Sequence, residues 1–165
     1  MKCELTDENR KALEGLFPVS GEKVDYIPEY YEKHGVPEEY RPTFTIRPYN
    51  SEEKSRFKKI QSKAMAMASK AYKEMPKDKE LTTNEIGLLV FEALDQEEIK
   101  SLCRGCIVGS KNFLDSELKE IPYKGDKNGM DKKQFNLLHS SVIDELSGYV
   151  NKISGLVESE VLSLK

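Results

Sequence analysis

Residues 43–64 read TFTIRPYNSEEKSRFKKIQSKA, and the change of hydrophobic period inside this stretch decides the fold class. Over 43–47 the β-formers alternate: Phe44 and Ile46 share one face, while Thr43, Thr45 and Arg47 share the other. That is a short strand, bracketed by Pro42 and Pro48. Because proline cannot donate to a ladder, the expectation is an edge strand or half of a two-stranded ribbon. EIPYK (120–124) offers the best partner. From Asn50 the period becomes helical. Asn50 and Glu53 have capping-box spacing, and Phe57, Ile60, Ala64, Met67, Ala68 and Ala71 recur at three and four residues. The helix runs to about Tyr72 and is stopped by MPKDKE (75–80), where Pro76 cannot continue the ladder.

Upstream, residues 1–42 hold a short amphipathic stretch (Leu5, Leu13, Leu16, Phe17) and then bends at Pro28, Gly35, Pro37 and Pro42. They read as short helical turns in an extended, Pro-rich N-terminal arm. Downstream, Thr82 and Glu85 form a second capping box. Ile86, Leu89, Val90, Ala93 and Leu94, then Ile99, Leu102, Cys103 and Cys106, fit one bent helix or two consecutive ones. The acidic run 95–98 suits the N-terminus of the second, where carboxylates complement the helix dipole. Gly105 and Gly109 mark its exit. GDKNGMDKKQ (125–134) is a turn tipped by Asn128 and Gly129. One last long helix carries Phe135, Leu138, Val142, Leu146, Val150 and Ile153, interrupted at Ser154 and Gly155, with LVESEVLSLK (156–165) adding two turns. The expected fold is mainly α: a helical bundle-like single domain over 43–165, with a two-stranded β element and the arm 1–42.

Composition narrows the function classes. The 26 basic and 29 acidic side chains of the 165 residues nearly cancel, which disfavours nucleic acid and membrane surfaces as partners. No apolar run approaches the roughly 20 residues of a membrane span, and the charges in MKCELTDENRKALEGLF (1–17) break any secretory core. The expectation is a cytoplasmic protein. Three cysteines are too few for a disulfide framework.

The chemistry-bearing candidates each have a plainer reading. Cys103 and Cys106 are spaced Cys-x-x-Cys, but late in a helical pattern, where the dipole does not favour a thiolate. With only Cys3, His34 and His139 elsewhere, a four-ligand zinc site has no second pair. Buried structural cysteines fit better than a redox or zinc role. The two histidines have no convergent carboxylate or nucleophile. Read as a calcium loop from Asp126, the sixth position is Asp131 instead of Gly and the twelfth Leu137 instead of Glu. No phosphate loop, nucleophile elbow or zinc-protease helix occurs. Met65, Met67, Met75 and Met130 fill a core or line an adaptable surface. The apolar C-terminal tail lacks an obvious partner within the chain, which points to protein binding.

Three stretches taken together resemble a known family: RPTFTIRPYNSEEKSRFKKIQSKA (41–64), CIVGSKNFLDSELKEIPY (106–123) and VIDELSGYVNKISGLVESEVLSLK (142–165). They are similar to small tail-assembly chaperones and related tail-morphogenesis proteins of long-tailed bacteriophages and prophages. Ser110 departs from the pattern by standing where an aromatic is common. The resemblance implies a non-enzymatic assembly factor without cofactor, metal or catalytic residues, working in the host-cell cytoplasm. Its apolar surfaces would cover segments of the tape-measure or tube protein until tube polymerisation displaces it. The partner-facing residues so implied are Phe44, Ile46 and Arg47 in the strand, and Ile153, Leu156, Val157 and Val161 at the C-terminal end. The alternatives are a structural virion component, such as a connector or head protein, and a small Cys-x-x-Cys redox or zinc protein.

Overall fold

A computed structural model describes residues 22–77 and 80–156. In chain order it contains β1 (Val24–Tyr26), α1 (Glu29–Lys33), a 3-10 turn (Glu38–Tyr40), β2 (Thr43–Ile46), α2 (Ser51–Glu74), α3 (Thr83–Ala93) and α4 (Gln96–Cys106). β3 (Ile107–Lys111), the hairpin strands β4 (Gly125–Asp126) and β5 (Gly129–Met130), α5 (Lys132–Phe135) and α6 (Ser140–Ile153) follow. The described chain is mainly helical, as its periodicities predict.

The alternation in 43–46 makes β2 a strand with Phe44 and Ile46 fully buried. Its place in the sheet differs from expectation: β2 is central, in the order β1-β2-β3, with both neighbours antiparallel. The prolines do not prevent this, because Pro42 and Pro48 lie just outside the paired residues and remove no donor from the ladder. The expected partner 120–124 does not pair with β2. Ile107 opposes Ile46 instead, with a bulge between Thr45 and Ile46 that leaves Val108 unpaired. Gly109 opposes Thr45 so closely that a Cβ would sit 3.1 Å from Thr45 Oγ1. Residues 113–121 fold back on themselves after β3, and Tyr123 returns one bond to it. Ile121 N–H donates to Phe113 O (2.6 Å), and the Tyr123 hydroxyl donates to Ile107 O (2.9 Å).

The described part of the expected arm is built into this sheet. Tyr26 opposes Phe44 across β1 and β2, stacks on Tyr149 of α6 at 4.0 Å, and donates to Glu145 Oε1 at 2.6 Å. The same carboxylate accepts from the backbone N–H groups of Glu29 and Tyr30, so a side chain from α6 caps α1. Residues 1–21 lie outside the described residues.

Both predicted capping boxes form, Asn50 with Glu53 and Thr82 with Glu85. The 83–106 pattern resolves into two helices, with Asp95 accepting from Glu98 N–H at the second N-terminus. The expected last long helix is broken. Asp131 caps α5, the chain turns at 136–139, and His139 Nδ1 accepts from Ser141 N–H to start α6. Asn, His and Ser bond nearby backbone groups and favour ends over interiors, and the break seats Leu138 in the core. α6 ends as expected at Ser154 and Gly155. Gly155 has φ +72°, and the Leu156 and Gly155 N–H groups donate to Asn151 O and Lys152 O, a Schellman closure.

The main core lies between the sheet, α4, α6 and the first turns of α2, and includes Phe44, Ile46, Phe57, Leu102, Ile107 and Leu146. The 24 residues of α2 span about 36 Å, and only Phe57 and Ile60 reach this core. Beyond them α2 leaves the body and pairs with α3 around a separate small cluster, Ala64, Ala68 and Val90.

Candidate protein-binding surface

The base of the α2–α3 hairpin is fixed by Arg47. Its guanidinium donates to both Glu53 carboxylate oxygens at 2.8 Å and to Gly105 O at 2.8 Å, while its backbone N–H donates to Cys106 O at 2.9 Å. One side chain thus joins the end of β2, the start of α2 and the end of α4. Burial pushes the Glu53 carboxyl up, but hydrogen bonds from Arg47 and Asn50 and the charges of Arg47 and Arg56 bring it below its ordinary value.

Above this base, α3 is apolar around most of its circumference: Ile86, Leu88, Leu89, Val90, Phe91 and Ala93 are six of the eight positions 86–93, with Gly87 and Glu92 the other two. A helix hydrophobic all round is normally buried all round. Here only Val90 is buried, while Leu88 is 59% and Phe91 61% exposed. By helical spacing Leu88 and Phe91 share a stripe facing away from α2, and Ile86, Leu89 and Val90 face toward it. On that nearer side a groove of about 430 Å³ runs between the helices, lined by Met65, Ala68, Tyr72, Ile86, Leu89 and Val90. Met67 and Tyr72 of α2 are also about half exposed. α2 carries seven basic and three acidic side chains, so this apolar surface has a basic flank.

The residues implied by the resemblance lie elsewhere. Phe44 and Ile46 have no exposed surface, because the alternation that makes the strand turns them into the core. Arg47 is engaged at the hairpin base. Ile153 and Leu156 pack against the main core at the end of α6, and Val157 and Val161 lie outside the described residues. None of the described five offers a free apolar face. Leu88 and Phe91 carry a signal in sequence: they fall off the stripe Ile86, Leu89, Val90, Ala93, yet are large and apolar.

The remaining candidates lie apart from this surface, and Cys3 lies outside the described residues. Cys103 and Cys106 are free and fully buried. Burial pushes the Cys103 thiol up to about 12, and raises that of Cys106 despite the nearby Arg47 charge. Such thiols are not nucleophiles near neutral pH. His139 caps α6 through Nδ1, and the rings of His34 and His139 lie 4.1 and 5.0 Å from that of Tyr30. Met130 is in the core, whereas Met67 is exposed. Among the described residues no group of three or more His, Cys, Asp or Glu side chains is placed to hold a metal ion. None of their helices is long and apolar enough to cross a membrane. Comparison with protein-family models, curated proteins and solved structures finds no match.

Proposed function

We propose that this chain is a non-enzymatic protein-binding module, acting as a tail-assembly chaperone of the kind found in long-tailed phages and prophages. The observation that carries the binding role is α3, which buries Val90 on one side yet leaves the large apolar Leu88 and Phe91 exposed on another. The occupant of its outer stripe is an apolar segment of a tape-measure or tube protein, held until polymerisation displaces it. Burying Leu88 and Phe91 contributes about 1.5–3 kcal/mol each. Set against the cost of association, that gives exchangeable contacts, and exchange is what a chaperone requires. The phage assignment itself rests on the sequence resemblance at 41–64, 106–123 and 142–165.

The test is a pull-down from cells expressing tail genes, using the intact chain and a Leu88→Asp/Phe91→Asp variant. Capture of tape-measure or tube protein by the intact chain, and its loss in the variant, is the expected result. Equal capture by both rejects the surface. Capture by neither rejects the chaperone reading. Mature particles that retain the chain would instead make it a structural component.

A further inference from the structure

The α2–α3 hairpin is thinly built. Its own cluster buries two alanines and one valine, and the partly buried Met65, Leu89, Ala93 and Leu94 complete it. Of the nine large apolar side chains that stand exposed among the described residues, five lie on this hairpin: Met67, Tyr72, Ile86, Leu88 and Phe91. Two helices alone enclose no core; such pairs become stable when a second layer covers them. The groove between α2 and α3 is lined from these two helices only, beyond Ile60, the last α2 residue in the main core. We infer that a second copy of this chain covers the groove, hairpin on hairpin, so that two copies close a four-helix bundle with α2 of each lying on α3 of the other.

The charges select this occupant. Between Lys54 and Lys73, α2 carries seven basic side chains and no acidic one; Glu52, Glu53 and Glu74 lie at its ends. α3 carries Glu85 and Glu92 and no basic side chain, and the start of α4 adds Asp95, Glu97 and Glu98. Along the groove these charges form two rims. Lys59 and Lys63 stand seven and three residues before Ala66, and Lys70 and Lys73 four and seven after it, so they share a ridge with that groove residue. None of these four lysines is ion-paired among the described residues. Of the other α2 cations, Arg56 is held by Glu98, and Lys54 and Lys58 lie toward the base. On the far rim Glu85 and Glu92 stand four before and three after Leu89. A partner with acidic flanks alone would be drawn to α2 and repelled by α3, and a basic one the reverse. A surface with one rim of each sign is complementary to its own copy turned about a twofold axis. Setting α2 on a second α2 would place lysine ridge on lysine ridge, so the charges also fix which helix meets which.

Leu88 and Phe91 face away from α2 and stay outside this interface, so the dimer stands whether or not a tail protein is captured there. Sedimentation equilibrium of the full chain tests it. Because α3 is only about 16 Å long, the expected result is a dimer that dissociates on dilution. Lys63→Glu/Lys70→Glu sets acid against α3 of the second copy, and Glu92→Lys sets base against its α2. Each should raise the dimer dissociation constant about tenfold. All three side chains are exposed, and circular dichroism of each variant should match the parent. Mixed in equal amounts, the two variants should dimerise as well as the parent does, because each presents the rim that the other lacks. A parent that stays monomeric at about 0.1 mM overturns the inference, as does a dimer that either variant leaves unweakened, or a mixture that fails to restore it. Tighter dimerisation of Lys63→Glu/Lys70→Glu assigns the contact to α2 on α2 and overturns it too.

Discussion

The body and the hairpin arm both rely on helices with apolar positions, yet they bury very different amounts. In the body seventeen apolar residues form one cluster, and Phe44, Ile46, Cys103, Cys106, Ile107, Val142, Leu146 and Val150 are fully enclosed. In the arm three small residues do the same work, and the larger apolar side chains of α3 remain outside. Hydrophobicity of sequence therefore does not locate the core. What locates it is whether the apolar positions of an element have somewhere to go, and on α3 most do not.

The sharpest way to break this contrast is a matched pair of truncations. Phe44→Ala should cost about 3–5 kcal/mol, because it leaves a cavity beneath the central strand. Val90→Ala should cost about 1.5 kcal/mol, at near 0.8 kcal/mol per buried CH₂. Urea unfolding followed by circular dichroism measures both, and equal losses would erase the distinction between body and arm.

The junction comes next. Glu53→Gln removes the charge partner of Arg47 and should cost about 1.5–3 kcal/mol near neutral pH. Since the Glu53 carboxyl is held below its ordinary value, its contribution is fully present above the unfolded value of about 4.3 and is lost as pH falls through the folded one. Stability curves of the variant and the parent should converge in acid. Curves that stay parallel down to low pH would remove the ion pair from the account.

Within the body, Gly129→Ala should cost about 1–3 kcal/mol. Gly129 has φ +90°, and a Cβ there would lie 2.2 Å from Arg104 O. A neutral result would show that the β4–β5 hairpin is not seated on α4. The smallest effect belongs to the arm surface: Leu88→Asp/Phe91→Asp should shift unfolding free energy by no more than about 0.5 kcal/mol. A large destabilisation would mean that the stripe is already covered within the fold.

Much of the body was legible because local chemistry agreed with the tertiary outcome. Asn50 and Glu53, Thr82 and Glu85, and the acidic run at 95–98 start helices where their spacing says they should. Gly155 ends α6 for the same reason. The sheet was harder to read. β3 begins at the residue after α4, so Ile107 and Val108 looked like helix exit, and pairing across the α2–α3–α4 insertion leaves no local trace. The three-residue β1 hid among prolines, and the cap of α1, the helix that follows it, comes from Glu145, far along the chain. The burial of Phe44 and Ile46 was hidden for a related reason. Alternation reveals that Phe44 and Ile46 share a face, but not that this face is closed over by the helices.

Ile46 and its β3 partner Ile107 stand sixty-one positions apart, and this spacing governs how the chain assembles as it leaves the ribosome. β1 and β2 can meet as soon as both emerge, but the second edge of β2 stays open until α2, α3 and α4 have been made. An open strand edge invites pairing with other chains, and long-range closure is slow. Newly made protein should therefore be most prone to aggregate when synthesis stalls between residues 47 and 106, with the central strand exposed along one side.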